Sequence, residues 1–253
     1  VPDTLNDFRK KSMSKVKRPL SSVILDIGIS EKILRDAKDF LNSATWYEEK
    51  GLPHRRGYLF YGQPGCGKTS YLFALAGELN LNVCCLSLSC SSMTDTLLNS
   101  LMQTLPKNSA VLLEDVDAAF QKRSAGGDNK SSVTFSGLLN AIDGVASSDG
   151  RLLFMTTNHR EQLDPALIRP GRCDMQVHFP LASKFQITKL FETFFPNQPA
   201  SITKKFVDLI PANRCPMATL QGHFLNYKDQ PEQAIANYKE LFSDEASTES
   251  FSF

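Results

Sequence analysis

The sequence lacks an excess of charge of either sign, because 28 lysines and arginines are balanced by 27 aspartates and glutamates to a net charge of +1. Domains that bind nucleic acids usually carry a strong basic excess, so we expect no nucleic-acid partner. The sequence also lacks an apolar run approaching the roughly 18 residues of a membrane-spanning helix, and it lacks a secretory signal. Because the chain begins at Val1 rather than at a methionine, these absences do not extend to whatever precedes it.

Cysteine and histidine are present but lack metal-binding spacing. The six cysteines include no C-x-x-C pair and the four histidines are scattered, so the sequence predicts no zinc site. Adjacent Cys84 and Cys85 lie in an apolar stretch, and we expect them to be buried thiols of a reducing compartment rather than disulfide partners. A hydrophobic content of 42% and a charged content of 22% are typical of a soluble globular protein.

Short apolar runs alternate with helical patterns up to Pro180. A helix over residues 30–42, capped by Ser30, comes first. Apolar runs that are separated by helices and are apolar on both faces indicate a parallel sheet covered on both sides. The predicted fold class is therefore α/β, with a parallel five-stranded sheet flanked by helices. The predicted strands are 58–61, 83–88, 110–113, 152–156 and 175–179, and the predicted helices are 69–79, 95–104, 133–142 and one around 165–168.

After Pro180 the sequence predicts only helices. Helical patterns separated by prolines indicate a small all-helical domain; they cover 185–195, 202–210, 217–227 and 232–242. We divide the chain into a basic linker or remnant of an upstream domain (1–18), a large α/β nucleotide-binding domain (19–182), the helical domain (183–242) and a disordered tail (243–253).

The stretch from Gly62 to Thr69 fits the pattern G-x-x-x-x-G-K-[ST] of a phosphate-binding loop. Backbone N–H groups of such a loop surround a triphosphate, and glycine is needed where a Cβ would collide. Lys68 would then reach the β- and γ-phosphates, and Thr69 would bind Mg²⁺ through its hydroxyl. The alternative is a glycine-rich turn without a ligand. The predicted nucleotide-binding residues are Gly62, Gln63, Pro64, Gly65, Cys66, Gly67, Lys68, Thr69 and Ser70, with Cys66 acting only through its backbone.

Polar residues also follow two later strands. Glu114 and Asp115 end one apolar run, and Asn158 follows another. The carboxyl ends of parallel strands lie at one edge of the sheet, where acids can hold a metal or activate water and an asparagine can orient that water. The alternative is that these residues merely end their strands in solvent.

Arg169 and Arg172 flank a Pro-Gly turn. We expect them to point at a partner or at solvent, since two arginines in so short a turn are difficult to bury together. An arginine from a neighbouring subunit can neutralise the charge that develops on a transferred phosphoryl group. The alternative is surface salt bridging.

In order and spacing, residues 62–69, 111–115, 156–158 and 169–174 resemble the Walker A, Walker B, sensor 1 and second region of homology of the AAA ATPases. The resemblance covers residues 20–242 and identifies the helical domain with the family's lid. It implies that ATP and Mg²⁺ are the cofactors and that the active unit is a homo-oligomeric ring. It also implies that Asn158 is sensor 1 and that Arg169 and Arg172 act in trans on the next subunit's nucleotide.

A narrower resemblance rests on residues 18–23, 55–59, 74–79, 113–120, 134–140 and 154–159. These are similar to the mitochondrial inner-membrane AAA chaperones that translocate the folded Rieske iron–sulfur protein during assembly of respiratory complex III. The resemblance implies that protein as client, and a place at the inner membrane with the AAA domain in the matrix. Any membrane attachment would come through an upstream segment absent from this chain.

The chain departs from the family pattern in three places. AAA proteins usually end the Walker B strand Asp-Glu, whereas this chain has Glu114-Asp115. We assign Glu114 to Mg²⁺, through a water, and Asp115 to the general base, with the reverse assignment left open; slow turnover follows as a hypothesis. Residues 87–93 lack the aromatic and glycine grip of unfoldases, and residues 217–221 lack a sensor 2 arginine. Adenine contacts are expected from residues 26–28 and from the lid.

Three functions are compatible with these features. The leading hypothesis is an ATP-driven ring translocase or assembly chaperone that moves a folded client. The alternatives are a nucleotide-gated ring scaffold with little hydrolysis, which the inverted acids favour, and a peptide-threading AAA unfoldase, which the missing grip disfavours. A GTPase is poorer still, because residues 129–132 lack the aspartate that would recognise guanine.

Overall fold

The computed structural model describes residues 17–88, 90, 92–106, 108–117, 133–144 and 150–242. Two predictions fall outside these residues and are not addressed by the structure: most of the basic N-terminal linker and the disordered tail 243–253.

A parallel sheet of five strands in the order β2-β3-β4-β1-β5 forms the centre of the α/β part. The predicted fold class and all five predicted strands are confirmed, with ends that differ by at most three residues. The strands are β1 (Arg55–Tyr61), β2 (Asn82–Ser87), β3 (Ser109–Glu114), β4 (Arg151–Thr157) and β5 (Met175–His178).

Side chains of the central strands alternate between two apolar layers, as the period of two in a strand requires. One layer packs Tyr58 and its register partner Phe154 against α1 and α3, and these two rings stack at a centroid distance of 4.7 Å. The other layer packs Val111 and Leu113 against α4 and α5. The helices of this part are α1 (Ile29–Leu41), α2 (Ala44–Glu49), α3 (Lys68–Glu78), α4 (Asp95–Thr104) and α5 (Phe135–Gly144).

The C-terminal part is helical, as predicted, and has its own core of buried phenylalanines that includes Phe191, Phe206 and Phe224. Its helices are α6 (Lys184–Phe194), α7 (Ala200–Leu209), α8 (Met217–Asn226) and α9 (Pro231–Ala236). Among the helices of the described residues, none is both long enough and apolar enough to cross a membrane.

Local predictions fail in four places. Residues 165–168 form a turn rather than a helix. The predicted helix 232–242 is split, because α9 ends at Ala236 and Tyr238–Phe242 is a 3₁₀ helix. Helix α1 begins after Gly28, which has a φ of 80°, so Ser30 is not its cap. Cys85 is exposed rather than buried because β2 is an edge strand.

Candidate active site

The loop between β1 and α3 has backbone geometry that only glycine adopts without strain. Gly67 precedes α3 with a φ of 95° and Gly62 has a φ of 141°. A Cβ on Gly62 would lie 2.1 Å from the carbonyl oxygen of Phe179, so this part of the loop passes directly against the end of β5. The first turn of α3 thus points its N–H groups into the loop, as anion binding requires.

Lys68 is the most heavily bonded side chain of the loop. Its Nζ donates to the carbonyl oxygens of Gly62 at 2.6 Å and Gln63 at 3.0 Å, and to Oδ1 of Asn158 at 2.7 Å. The side chain is buried, and this burial lowers the pKa of the ammonium group, opposed by the negative charge of Asp115 nearby. Two predicted site residues, Lys68 and Asn158, are therefore in direct contact.

The predicted magnesium residues also meet. Thr69 Oγ1 donates to Glu114 Oε1 at 3.3 Å, which places a hydroxyl and a carboxylate side by side at the end of β3. Oxygen donors of this kind are the ligands that Mg²⁺ prefers, together with phosphate oxygens and waters. The residues present fit a Mg²⁺ ion bound beside the loop.

Asp115 has a different neighbour from Glu114. Its backbone has a φ of 45°, and its N–H donates to Thr156 Oγ1 at 3.1 Å. Asn158 Nδ2 lies 3.5 Å from Asp115 Oδ1. The amide of Asn158 thus bridges Lys68 and Asp115, and this links the loop to the carboxyl ends of β3 and β4.

A buried network behind these residues fixes the end of β4. Thr157 Oγ1 donates to Asp117 Oδ1 at 2.7 Å and accepts the N–H of His159 at 3.0 Å. Asp117 is only 5% exposed, and it was not among the predicted site residues. Because the network holds both Thr157 and His159, it orients Asn158, the residue between them.

The two arginines differ in their surroundings. Arg169 is exposed and forms no hydrogen bond or ion pair through its side chain with any described residue. Arg172 donates from Nε and Nη2 to the carboxylate of Asp143, at 2.9 and 2.6 Å. Arg172 therefore follows the salt-bridge alternative, whereas Arg169 points at solvent as expected, and neither side chain is bonded to the phosphate loop of its own chain.

A cavity of about 120 Å³ lies between the phosphate loop and the helical domain. The N–H of Ala218 at the start of α8 donates to Gly65 O at 3.0 Å, which joins the helical domain to the loop. The expected contacts from residues 26–28 do not line the cavity; Asp26 instead accepts a hydrogen bond from Ser183 Oγ at 2.5 Å. Arg18, Val23 and Ile24 also line the cavity and were not predicted, whereas Gln221 belongs to the lid, in the segment without the sensor 2 arginine.

Comparisons with known proteins agree with this geometry. Residues 58–181 match the family described as ATPase family associated with various cellular activities (AAA), and residues 184–240 match the mitochondrial chaperone BCS1-like ATPase lid domain. The chain is 46% identical over 244 residues to the mitochondrial chaperone BCS1 of Bos taurus, an alignment that covers 93% of this chain and 58% of the relative. It is 47% identical over 239 residues to the probable mitochondrial chaperone bcs1 of Schizosaccharomyces pombe, covering 94% of this chain and 53% of that protein.

The chain thus spans a little over half the length of these curated relatives. The two family matches include the phosphate loop, the ends of β3 and β4, the arginine turn and the start of α8. The chain belongs to the AAA ATPase family and carries a lid domain of the BCS1-like type.

Proposed function

We propose that this chain is the ATP-hydrolysing part of a mitochondrial AAA chaperone that works as a homo-oligomeric ring. The observation that carries the proposal is the junction of Lys68, Asn158 and Asp115 at one end of the loop, with Thr69 and Glu114 beside it. Phosphate binding, metal binding and water activation need these side-chain types within a few ångströms of one another.

In the proposed reaction, Lys68 exchanges its carbonyl and Asn158 partners for the β- and γ-phosphates of ATP. Thr69 and Glu114 would hold Mg²⁺, which when bound neutralises charge on those phosphates. Asn158, released from Lys68, orients a water against the γ-phosphate, and Asp115 accepts a proton from that water. Glu114 contacts Thr69 and Asp115 contacts Asn158, which supports assigning Glu114 to the metal and Asp115 to the proton transfer.

The cavity beside the loop supports a site for the adenosine part of the nucleotide. Its walls come from the N-terminal segment and from the lid, and Ala218 already touches the loop. Binding there would draw the lid and the α/β part together, so the nucleotide state would set the angle between them.

We further propose that the client is the folded Rieske iron–sulfur protein, moved across the mitochondrial inner membrane for complex III assembly. The support is the likeness to relatives named mitochondrial chaperone BCS1 over 93% of the chain. A second support lies after β2, where Leu88 and Met93 are 0% and 3% exposed. Side chains packed in the core cannot grip a threaded peptide, which favours a folded client over the unfoldase alternative.

The test is ATP hydrolysis measured against protein concentration in the full-length protein, for wild type, Asp115→Asn and Arg169→Ala, with ATP binding checked for each. We expect activity per subunit to rise steeply with concentration, and both variants to bind ATP while losing at least about 10³-fold in turnover. The matched control is Asp229→Asn, an exposed lid residue, which should behave as wild type.

A wild-type protein that binds ATP but turns over as slowly as Asp115→Asn at every concentration would favour the nucleotide-gated scaffold, the alternative suggested by the inverted acids. The client is tested separately, by asking whether ATP drives a disulfide-locked, folded Rieske domain into vesicles that contain the protein. Passage of the reduced, unfolded domain alone would support threading instead.

A further inference from the structure

The turn that carries Arg169 and Arg172 is held from two sides. Asp174 accepts the N–H of Gly171 at 2.8 Å and the N–H of Gly57 in β1 at 2.9 Å. Its own N–H donates back to Gly57 O at 2.8 Å. The turn is therefore fastened to the central sheet through Asp174.

The second attachment is the ion pair of Arg172 with Asp143 near the end of α5. The guanidinium group uses Nε and Nη2 on both carboxylate oxygens, and Nη1 donates to Ala166 O at 2.6 Å. Arg55 adds a second positive charge, with Nη1 3.9 Å from Asp143 Oδ1. A bidentate pair of this kind fixes orientation as well as distance.

Arg172 therefore has little freedom to leave its own subunit. Leaving would break three hydrogen bonds and would place the Asp143 carboxylate beside Arg55 alone. Arg169, three residues earlier, is exposed and its side chain is free to reach a neighbouring molecule. Its backbone oxygen accepts the N–H groups of Arg172 and Cys173, at 3.1 and 3.0 Å, so its Cα position is set by the same turn.

We propose that Asp143 and Arg172 are positioning residues, which fix this turn so that Arg169, and not Arg172, reaches the nucleotide bound by an adjacent copy of the chain. The inference rests on the proposed function, namely ATP hydrolysis in a ring with an arginine acting in trans. Asp143 then has a part in that reaction, although its side chain touches neither the nucleotide nor the phosphate loop.

The test is a mixing experiment with the full-length protein, since an arginine that acts in trans separates two kinds of defect. Subunits with Lys68→Ala cannot use ATP but can supply Arg169, whereas subunits with Arg169→Ala can use ATP but cannot supply it. Mixing the two should restore hydrolysis. Adding Asp143→Ala to the Lys68→Ala subunit should lower the restored rate about 10²-fold, as misplacement of a catalytic group does, without changing KM for ATP.

In the matched control, Asp143→Ala is added to the Arg169→Ala subunit instead. The restored rate should then stay within about twofold of the rate without Asp143→Ala. Arg172→Ala should behave as Asp143→Ala in both positions, and the double variant should be no worse than either single one, because both act through one pair. If Arg172→Ala costs as much as Arg169→Ala while Asp143→Ala costs nothing, Arg172 is itself the catalytic arginine and the proposal is wrong.

A second measurement does not need turnover, and so separates this proposal from the proposed function. Hydrogen exchange at the Gly171 and Cys173 amides should be at least about tenfold faster in the milder variant Asp143→Asn than in wild type, with amides of β1 unchanged. Unchanged exchange in the turn would overturn the positioning role even if the protein hydrolyses ATP. If the wild-type protein shows no ATPase activity, the proposed function is wrong. The exchange result then decides by itself whether Asp143 orders the turn.

Discussion

At the scale of single residues, Lys68 is the side chain whose partners the proposed reaction requires to change. It donates to Asn158 Oδ1 at 2.7 Å in the present arrangement. Asn158→Asp would turn this hydrogen bond into an ion pair, and a charged partner strengthens such a bond by about 1.4 kcal/mol or more. We expect ATP affinity to fall about tenfold, as measured by titration with a fluorescent ATP analogue.

The comparison for that prediction is Asn158→Ala, which removes the partner without adding charge. This variant should bind ATP at least as well as wild type, because Lys68 no longer has a hydrogen bond to residue 158 that must break. It should lose turnover, because no side chain at this position orients the water. Equal affinities for the Asp and Ala variants would show that Lys68 does not need to leave Asn158 when ATP binds.

Gly57 in β1 has no room for a side chain. A Cβ built on Gly57 would lie 1.8 Å from the carbonyl oxygen of Arg172, which is backbone and cannot swing away. We expect Gly57→Ala to lower the free energy of unfolding by about 3 kcal/mol, measured by urea denaturation, and to abolish ATPase activity by displacing the arginine turn. Gly222→Ala in α8 is the control, since a Cβ there meets nothing within 4 Å; it should raise stability by about 0.5–1 kcal/mol.

The sequence was informative about residues whose role depends on local pattern. Lys68, Thr69 and Glu114 were expected together because a loop motif and a strand end place them at the same sheet edge, and the structure brings them into contact. The pairing of Arg172 with Asp143 could not be predicted in this way. The two residues are 29 positions apart, and only the packing of α5 against the turn brings them together.

At the scale of elements, Arg151 at the start of β4 holds the end of α4. It is 5% exposed and donates to the carbonyl oxygens of Met102 at 2.7 Å, Pro106 at 3.2 Å, and Leu105. Met102 lies in the last turn of α4 and Leu105 is its C-cap, where carbonyl groups lack donors within the helix; Pro106 O, just beyond the helix, also accepts from Ser109 Oγ at 2.7 Å. A single side chain therefore satisfies three acceptors and joins α4 to the central sheet.

We expect Arg151→Met to lower the free energy of unfolding by about 3 kcal/mol, because it removes the guanidinium donor of the Met102 and Leu105 carbonyl groups while keeping a similar apolar volume. Arg160→Met is the control: this exposed arginine bonds Gln176 at 2.9 Å and lies over the ring of Tyr61, contacts that contribute about 1 kcal/mol or less at a surface. Equal losses for the two variants in urea denaturation would contradict the capping role.

Elements with a strong periodicity of apolar residues were predicted well, whereas elements that depend on a few local hydrogen bonds were not. Helix α4 matches its prediction at both ends, and its Thr94 cap accepts the N–H of Leu97 at 3.1 Å. Residues 165–168 were predicted as helix, but Asp164 Oδ1 accepts the N–H of Ala166 at 2.8 Å and forms a turn instead. An aspartate that bonds the backbone two residues later competes with helix formation.

At the scale of the whole molecule, residues 23–25 join the α/β part to the lid. Val23 and Leu25 belong to the core layer under α1 and α3, whereas Ile24 packs against the lid core. The extended segment thus places alternate side chains in two different cores. Ile24 also lines the cavity beside the phosphate loop, so a change in the position of the lid would alter the walls of the proposed nucleotide site.

Gln186 in α6 fixes this junction. It is 2% exposed; its Nε2 donates to Ile24 O at 2.9 Å and its Oε1 accepts the N–H of Ser183 at 3.1 Å. We expect Gln186→Met, which keeps the side-chain length, to lower the free energy of unfolding by about 2 kcal/mol, since two backbone groups of half-buried residues, Ile24 O and the N–H of Ser183, lose their partners.

The same variant should weaken ATP binding about tenfold, because Ile24 on one side of the cavity is no longer held against the lid residues on the other. Lys189→Met on the same helix is the control, since it breaks only an exposed pair with Glu192 at 2.8 Å and should change either quantity by less than about 0.5 kcal/mol. If Gln186→Met loses stability but titrates with ATP as Lys189→Met does, the junction stabilises the fold without shaping the nucleotide site, and the lid angle must be set by the contact of Ala218 with Gly65 instead.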